Sequence, residues 1–239
     1  MKRIGITLLI LCSLCACKQQ HEGLNIAVAS NFESTLKQII KHYRLTNPDQ
    51  QINIIAGSSG VLSNQILNNA PYDLFLSADS SKTDEIYRQQ KLTHKPKIYA
   101  IGQLALWIPT QDLTQDQGHE CLKHLQSIET LAVANPKTAP YGAMAAKIIE
   151  KYNIKVDKIL ELSNATQAYL YTQDNLAQAG FVAKSMLPAS SRGCIQIFTD
   201  ASLSQSMLLL NDDASQLFQF ILSKKMQTLI KNSGYNTLN

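Results

Sequence analysis

Leu24-Asn25-Ile26-Ala27-Val28-Ala29-Ser30-Asn31-Phe32 is the stretch that decides the fold. Its first six residues are mostly apolar and predict a strand. Phe32, Leu36, Ile39, Ile40 and Tyr43 then recur at helical spacing. The small polar pair Ser30-Asn31 stands where strand gives way to helix. Working outward, Asn47-Pro48-Asp49 ends that helix. A second strand is predicted over 52–56, followed by the turn Gly57-Ser58-Ser59-Gly60 and a helix opened by Val61, Leu62, Gln65 and Ile66. A third strand is predicted over 73–78, and Asp79-Ser80-Ser81 caps a helix running to residue 90. Strand and helix alternate three times, the pattern of a parallel sheet covered by helices.

A long apolar strand over 98–108 carries Gly102 inside it and leads into a second unit. There the pattern predicts a short helix over 121–126, a strand over 131–134 and the turn Asn135-Pro136-Lys137. Helices follow over 143–152 and 165–174, then strands over 179–183, 195–198 and 207–210. One closing helix over 214–232 presents Leu217, Phe218, Ile221, Leu222, Met226, Leu229 and Ile230 on its apolar side. The layout predicts two α/β lobes with a ligand between them: 24–103 with 205–239 as the first, 104–204 as the second.

The N-terminus reads as an export signal over 1–16. Lys2 and Arg3 precede an apolar run over 4–14, followed by Leu14-Cys15-Ala16-Cys17. That ending resembles a bacterial lipobox, which makes Cys17 the expected lipid attachment site; Cys15 is an unusual residue within such a box, and ordinary signal cleavage nearby is the alternative. Lys18 then favours the outer membrane, by resemblance to sorting rules of Gram-negative bacteria. Past the signal, Cys121 and Cys194 remain in an oxidising compartment. The alternatives are a disulfide between them, which is the expectation, and two buried thiols. No run of about 20 apolar residues follows the signal. The net charge of +4 is scattered, without basic runs interleaved with aromatics, which argues against nucleic acid.

Four strand ends lead into helix starts rich in small polar residues: Ser30-Asn31, Gly57-Ser58-Ser59-Gly60, the segment from Asn135 to Gly142, and Ser163-Asn164-Ala165. Helix N-termini expose unsatisfied N–H groups and a partial positive charge. Glycine lets the backbone approach an anion, and serine adds a hydroxyl donor. Ser30, Asn31, Ser59 and Asn164 are also ordinary N-cap residues. The glycine-serine turn is neither a P-loop, since no Gly-Lys-Ser/Thr follows, nor a nucleophile elbow.

The same segments resemble the periplasmic molybdate-binding proteins. The resemblance is carried by 27–32, 57–60 with Gln65-Ile66, and 70–79. It continues through 99–107, 132–136 with 139–142, 180–183 and Ser233-Gly234-Tyr235, in the family's order. It implies an α/β, two-lobed type II periplasmic-binding-protein fold, each lobe a mainly parallel sheet flanked by helices. It also implies a monomer that captures molybdate or tungstate and hands it to the permease and ATPase of an ABC importer. Carried over by motif, Ser30, Asn31, Ser59 and Tyr141 bind the oxyanion, and Ala165 donates its backbone N–H. These groups contact the oxyanion's oxygens, with no direct bond from protein to metal and no cofactor. The family often has Val at the position of Ala165. Some members use a tyrosine where this chain has Ala183; in the branch with Gly-Phe-Val-Ala, Tyr141 takes that part.

Three rival readings remain. Another tetrahedral oxyanion such as sulfate or phosphate would use the same fold. A serine-dependent hydrolase would need a base, yet His21, His42, His94, His119 and His124 all lie in polar contexts without a partner motif. A zinc site at His119, Cys121 and His124 competes with a solvated helix start whose cysteine is paired or buried.

Overall fold

Apolar residues at 24–29 build β1 (Leu24–Ala29), and five of its six residues are buried because both faces are covered. The computed structural model describes residues 23–109 and 121–237. A single 3-10 turn, Ser30–Phe32, links β1 to α1 (Glu33–Tyr43). β2 (Ile52–Gly57), α2 (Ser59–Leu67), β3 (Leu74–Ser77) and α3 (Ser80–Gln89) follow. β2 and β3 flank β1, both parallel to it. Parallel pairing forces each connection to return over a face of the sheet, so Ala29, Gly57 and Ser77 all finish at one sheet edge.

β4 (Lys97–Ile108) leaves this half for the second, where α4 (Cys121–His124), β5 (Thr130–Ala134) and α5 (Pro140–Lys151) come first. β6 (Lys158–Leu162), α6 (Ala165–Gln173) and β7 (Ala179–Ala183) complete it. β5 lies between β6 and β7, parallel to both. β8 (Cys194–Leu209) then runs back, antiparallel to β4 and β3. The order is β2-β1-β3-β8-β4-β7-β5-β6, one continuous sheet in which two parallel trios are joined by two long antiparallel strands. Where the pair passes between the halves the register jumps: Gln103 faces Ser202 but Leu104 faces Phe198, leaving residues 199–201 as a bulge.

Each half has its own apolar core. Phe32, Leu36, Leu76, Tyr99 and Met207 belong to the first, together with Ile221 of α7 (Ser215–Leu222) and Ile230 of α8 (Lys224–Asn232). Leu106, Leu131, Val133, Ile148 and Phe181 belong to the second. Cys121 and Cys194, at the starts of α4 and β8, are joined by a disulfide with Cα atoms 5.7 Å apart. A disulfide sulfur is not a thiolate, so Cys121 is unavailable to zinc; His119 lies outside the described residues, as does Cys17.

Several boundaries differ from the sequence reading, each for a local reason. The two strands expected over 195–198 and 207–210 are the ends of a single 16-residue strand, since the polar stretch between them stays in the ladder with β4. β6 was not anticipated: Lys158 and Glu161 break its apolar pattern, and it lies at the sheet's edge, where only one neighbour is required. The closing helix is two helices. Ser223 has ψ 148°, outside the helical range, and its hydroxyl accepts from the Met226 N–H to start α8. α5 begins three residues early, with Pro140 at its first turn, where a missing N–H does no harm.

Candidate binding site

Helix starts from both halves meet beside the β4–β8 crossing. Ser30 and Asn31 occupy the 3-10 turn after β1, Ser59 is the first residue of α2, Tyr141 lies in the first turn of α5, and Ala165 opens α6. All five are buried. The capping alternative does not hold for Ser30, Asn31 or Ser59: the cap positions are Ala29, Phe32 and Ser58. It does hold for Asn164, whose side chain accepts from the Gln167 N–H at 3.0 Å.

Direct contacts bring the halves together here. The Thr166 hydroxyl donates to the Ser30 carbonyl at 3.1 Å, placing the start of α6 against the turn after β1. The Gly60 N–H donates to the Thr138 carbonyl at 2.8 Å, placing the start of α2 against the loop before α5. Gly60 permits this approach, because a Cβ there would lie 2.8 Å from the same carbonyl. Ala29 and Ala78 of the first half share one apolar cluster with Tyr141 and Ala165 of the second. Closure leaves the candidate residues under protein. A cavity of about 520 Å³ lies elsewhere, between α1, α8 and residue 185, and meets the site only at Asn31.

A neutral hydrogen-bond network underlies the site. The Asn31 side-chain amide donates to Gln205 Oε1 at 3.1 Å and to the Tyr235 hydroxyl at 3.2 Å. Tyr235 in turn donates to the Asn31 carbonyl at 2.7 Å. Tyr99 donates to Gln205 Oε1 at 3.0 Å, and Gln205 Nε2 donates to the Tyr141 oxygen at 3.1 Å. The Ser59 hydroxyl accepts from the Ala78 N–H at 2.9 Å. With both amide hydrogens of Asn31 committed to the framework, what that residue has left for an anion is its backbone N–H. Among the described residues, two buried groups of the site have unused hydrogen-bonding capacity. The Ser58 hydroxyl has no partner, and the Tyr141 hydroxyl hydrogen has no acceptor.

Sequence reasoning missed Gln205, Tyr99, Tyr235 and Ser58 as parts of this shell. Ser58 adjoins Ser59 and so carried a signal, whereas Gln205 lies in a polar stretch that reads as a loop. Tyr99 and Tyr235 carried none, since a buried tyrosine reads as core.

Burial raises the pKa of Tyr99 and Tyr141 well above the usual phenol value and pushes Tyr235 up to about 12. The neighbouring tyrosines add to the rise at Tyr99 and Tyr141, while the Gln205 hydrogen bond opposes it at Tyr141. All three are therefore neutral donors at physiological pH. The sign for stability follows. Unfolded tyrosines ionise near their ordinary value of 10.0, so above that pH the folded chain holds more protons than the unfolded one. Stability is expected to be intact below that value and to fall as pH climbs toward about 12. Absorbance titration of the phenolates, compared with circular dichroism, checks this; ionisation of every tyrosine near 10 with the fold intact would contradict it.

Two α/β halves sharing one sheet, with helix starts from each meeting at the strand crossing, define the class of two-lobed solute-binding proteins. A family model described as bacterial extracellular solute-binding protein matches residues 24–236, and the chain belongs to that family. The molybdate-binding protein ModA of Azotobacter vinelandii is 32% identical over 178 residues, 73% of this chain and 69% of that relative. ModA of Rhodobacter capsulatus is 28% identical over 247 residues, 98% of this chain and 96% of the relative. The solved periplasmic molybdate-binding protein of Azotobacter vinelandii matches with a TM-score of 0.79 at 27% identity, covering 90% of this chain and 100% of that one.

Proposed function

We propose that this chain captures molybdate or tungstate outside the cytoplasm and delivers it to the permease and ATPase of an ABC-type importer. The observation that carries the reading is a buried meeting point of neutral donors from both halves. There the Ser58 hydroxyl and the Tyr141 hydrogen lack protein partners, as an incoming oxyanion would require. The names of the relatives supply the ligand class. In this reading Ser30, Asn31, Ser59, Tyr141 and the Ala165 N–H hold the oxygens, with no direct bond from protein to metal and no cofactor. Residues 24–103 with 205–239 act as one lobe and 104–204 as the other. The chain works as a monomer in the periplasm, held to a membrane only through lipid on Cys17. Among the described residues no helix is long and apolar enough to cross a membrane.

The donor set makes chemical sense. Charge-assisted hydrogen bonds to a dianion are each stronger than neutral ones. No buried counter-charge has to be desolvated, so release to a transporter is not opposed by an ion pair. A hydrolytic reading has little support, because Ser59 is bonded to the Ala78 N–H and the described hydrogen bonds of the network involve no histidine.

Titration calorimetry with molybdate, tungstate, sulfate and phosphate in parallel tests the reading. Molybdate and tungstate are expected to bind far more tightly than the other two. Tight binding of sulfate or phosphate alone would move the chain to that ligand. Ser59→Ala and Tyr141→Phe are each expected to weaken molybdate binding about tenfold or more, from the loss of one hydrogen bond to a charged group. Wild-type affinity in both would remove these residues from the site.

A further inference from the structure

We propose that Gln205 is the positioning residue of this site: its amide dictates which way the Tyr141 hydroxyl hydrogen points, and so makes that hydroxyl a donor to the oxyanion. The inference rests on the reading above, in which Tyr141 meets the ligand.

Gln205 is fully buried on β8, opposite Ala100 of β4. Its Oε1 accepts from the Asn31 amide at 3.1 Å and shares the Tyr99 hydroxyl hydrogen, at 3.0 Å, with the Ser77 carbonyl at 3.2 Å. A flipped amide would set its hydrogens against those of Asn31, so these partners fix the orientation. Nε2 is then the atom 3.1 Å from Tyr141, and an amide nitrogen only donates. The tyrosine oxygen has to accept, and its hydrogen has to point away from Gln205. A tyrosine left to itself can donate or accept. Beside an anion whose every oxygen is an acceptor, the accepting orientation is repulsive. One buried amide therefore settles the polarity of a group on the other half of the molecule. Gly102 makes room for the pair: a Cβ there would stand 2.0 Å from the Tyr141 oxygen and 2.4 Å from Gln205 Nε2.

The test is a double-mutant cycle read by calorimetry with molybdate on the wild type, Gln205→Leu, Tyr141→Phe and the double variant. Gln205→Leu is expected to lower affinity about tenfold in the wild-type background, and less than about twofold once residue 141 is phenylalanine. An equal loss in both backgrounds overturns the proposal.

Gln205→Glu supplies a readout that a purely structural role would not move. A protonated carboxyl donates to Tyr141 as the amide does. A carboxylate accepts from Tyr141 and repels the anion. Affinity of this variant is expected to fall as pH rises from about 5.5 to about 8.5, because burial raises a carboxyl's pKa into that range. The wild type is expected to stay flat, and a variant profile matching it overturns the proposal. The groups facing the position are Tyr99 of β4, Tyr141 of α5 and, through Asn31, Tyr235, all held protonated by burial. The charged residues that follow β7 and β3 are engaged in their own bonds: Lys184 donates to Gln103 on β4, and Asp79 accepts from the Lys82 N–H at the start of α3. A wild-type chain that binds none of the four oxyanions defeats the functional reading and this inference together. A binding wild type whose Gln205 variants behave otherwise defeats the inference alone.

Discussion

Gly102→Ala is expected to lower molybdate affinity about a hundredfold, more than the loss of the Tyr141 hydroxyl alone. The added methyl group would occupy space 2.0 Å from the Tyr141 oxygen and 2.4 Å from Gln205 Nε2. The glutamine end can swing aside, but the tyrosine ring is rigid and packed in the second half's core. It has to tilt as a whole, carrying its hydroxyl out of register with the donors of the first half. Forcing an extra methyl group into a packed interior also destabilises the fold by about 1–3 kcal/mol. Calorimetry on the variant, paired with a denaturation curve, separates the two effects. Unchanged affinity would mean that the Gln205–Tyr141 pair plays no part in binding.

The largest expected effect on stability comes from the disulfide. Replacing Cys121 and Cys194 together by serine is expected to remove about 2–4 kcal/mol of unfolding free energy. The bond closes a loop between residues 73 apart, most of the second half, and the unfolded chain gains that freedom when it is cut. Both sulfurs are buried, so two hydroxyls at these positions would in addition need partners that the apolar surroundings do not offer. Denaturant midpoints at equal protein concentration read the change, and a variant within experimental error of the wild type would contradict it. Molybdate stabilises whichever state binds it, so the comparison is made without ligand.

Much of this architecture was legible before any coordinates, and the illegible parts have physical causes. β1, β3, β5 and β7 are buried on both faces and read directly as short apolar runs between turn residues. β6 did not, because an edge strand needs no apolar alternation. The middle of β8 did not, because Ser202, Ser204, Gln205 and Ser206 look like a loop until β4 is placed beside them. The placement of Ser30, Asn31, Ser59, Tyr141 and Ala165 at helix starts follows from strand–helix alternation, which local pattern reveals. The shell beneath them does not follow from it. Gln205 reaches Asn31 across 174 residues and Tyr141 across 64, and no window along the chain holds those partners together.

Tyr235 has a consequence for the life of the chain before it matures. Its hydroxyl bonds the carbonyl and the amide of Asn31 across 204 residues of sequence. A nascent chain emerging from the ribosome therefore holds every earlier donor yet lacks the strut that sets Asn31, until synthesis has passed residue 235. Fragments released by premature termination or trimmed by a protease would be poor sinks for the oxyanion.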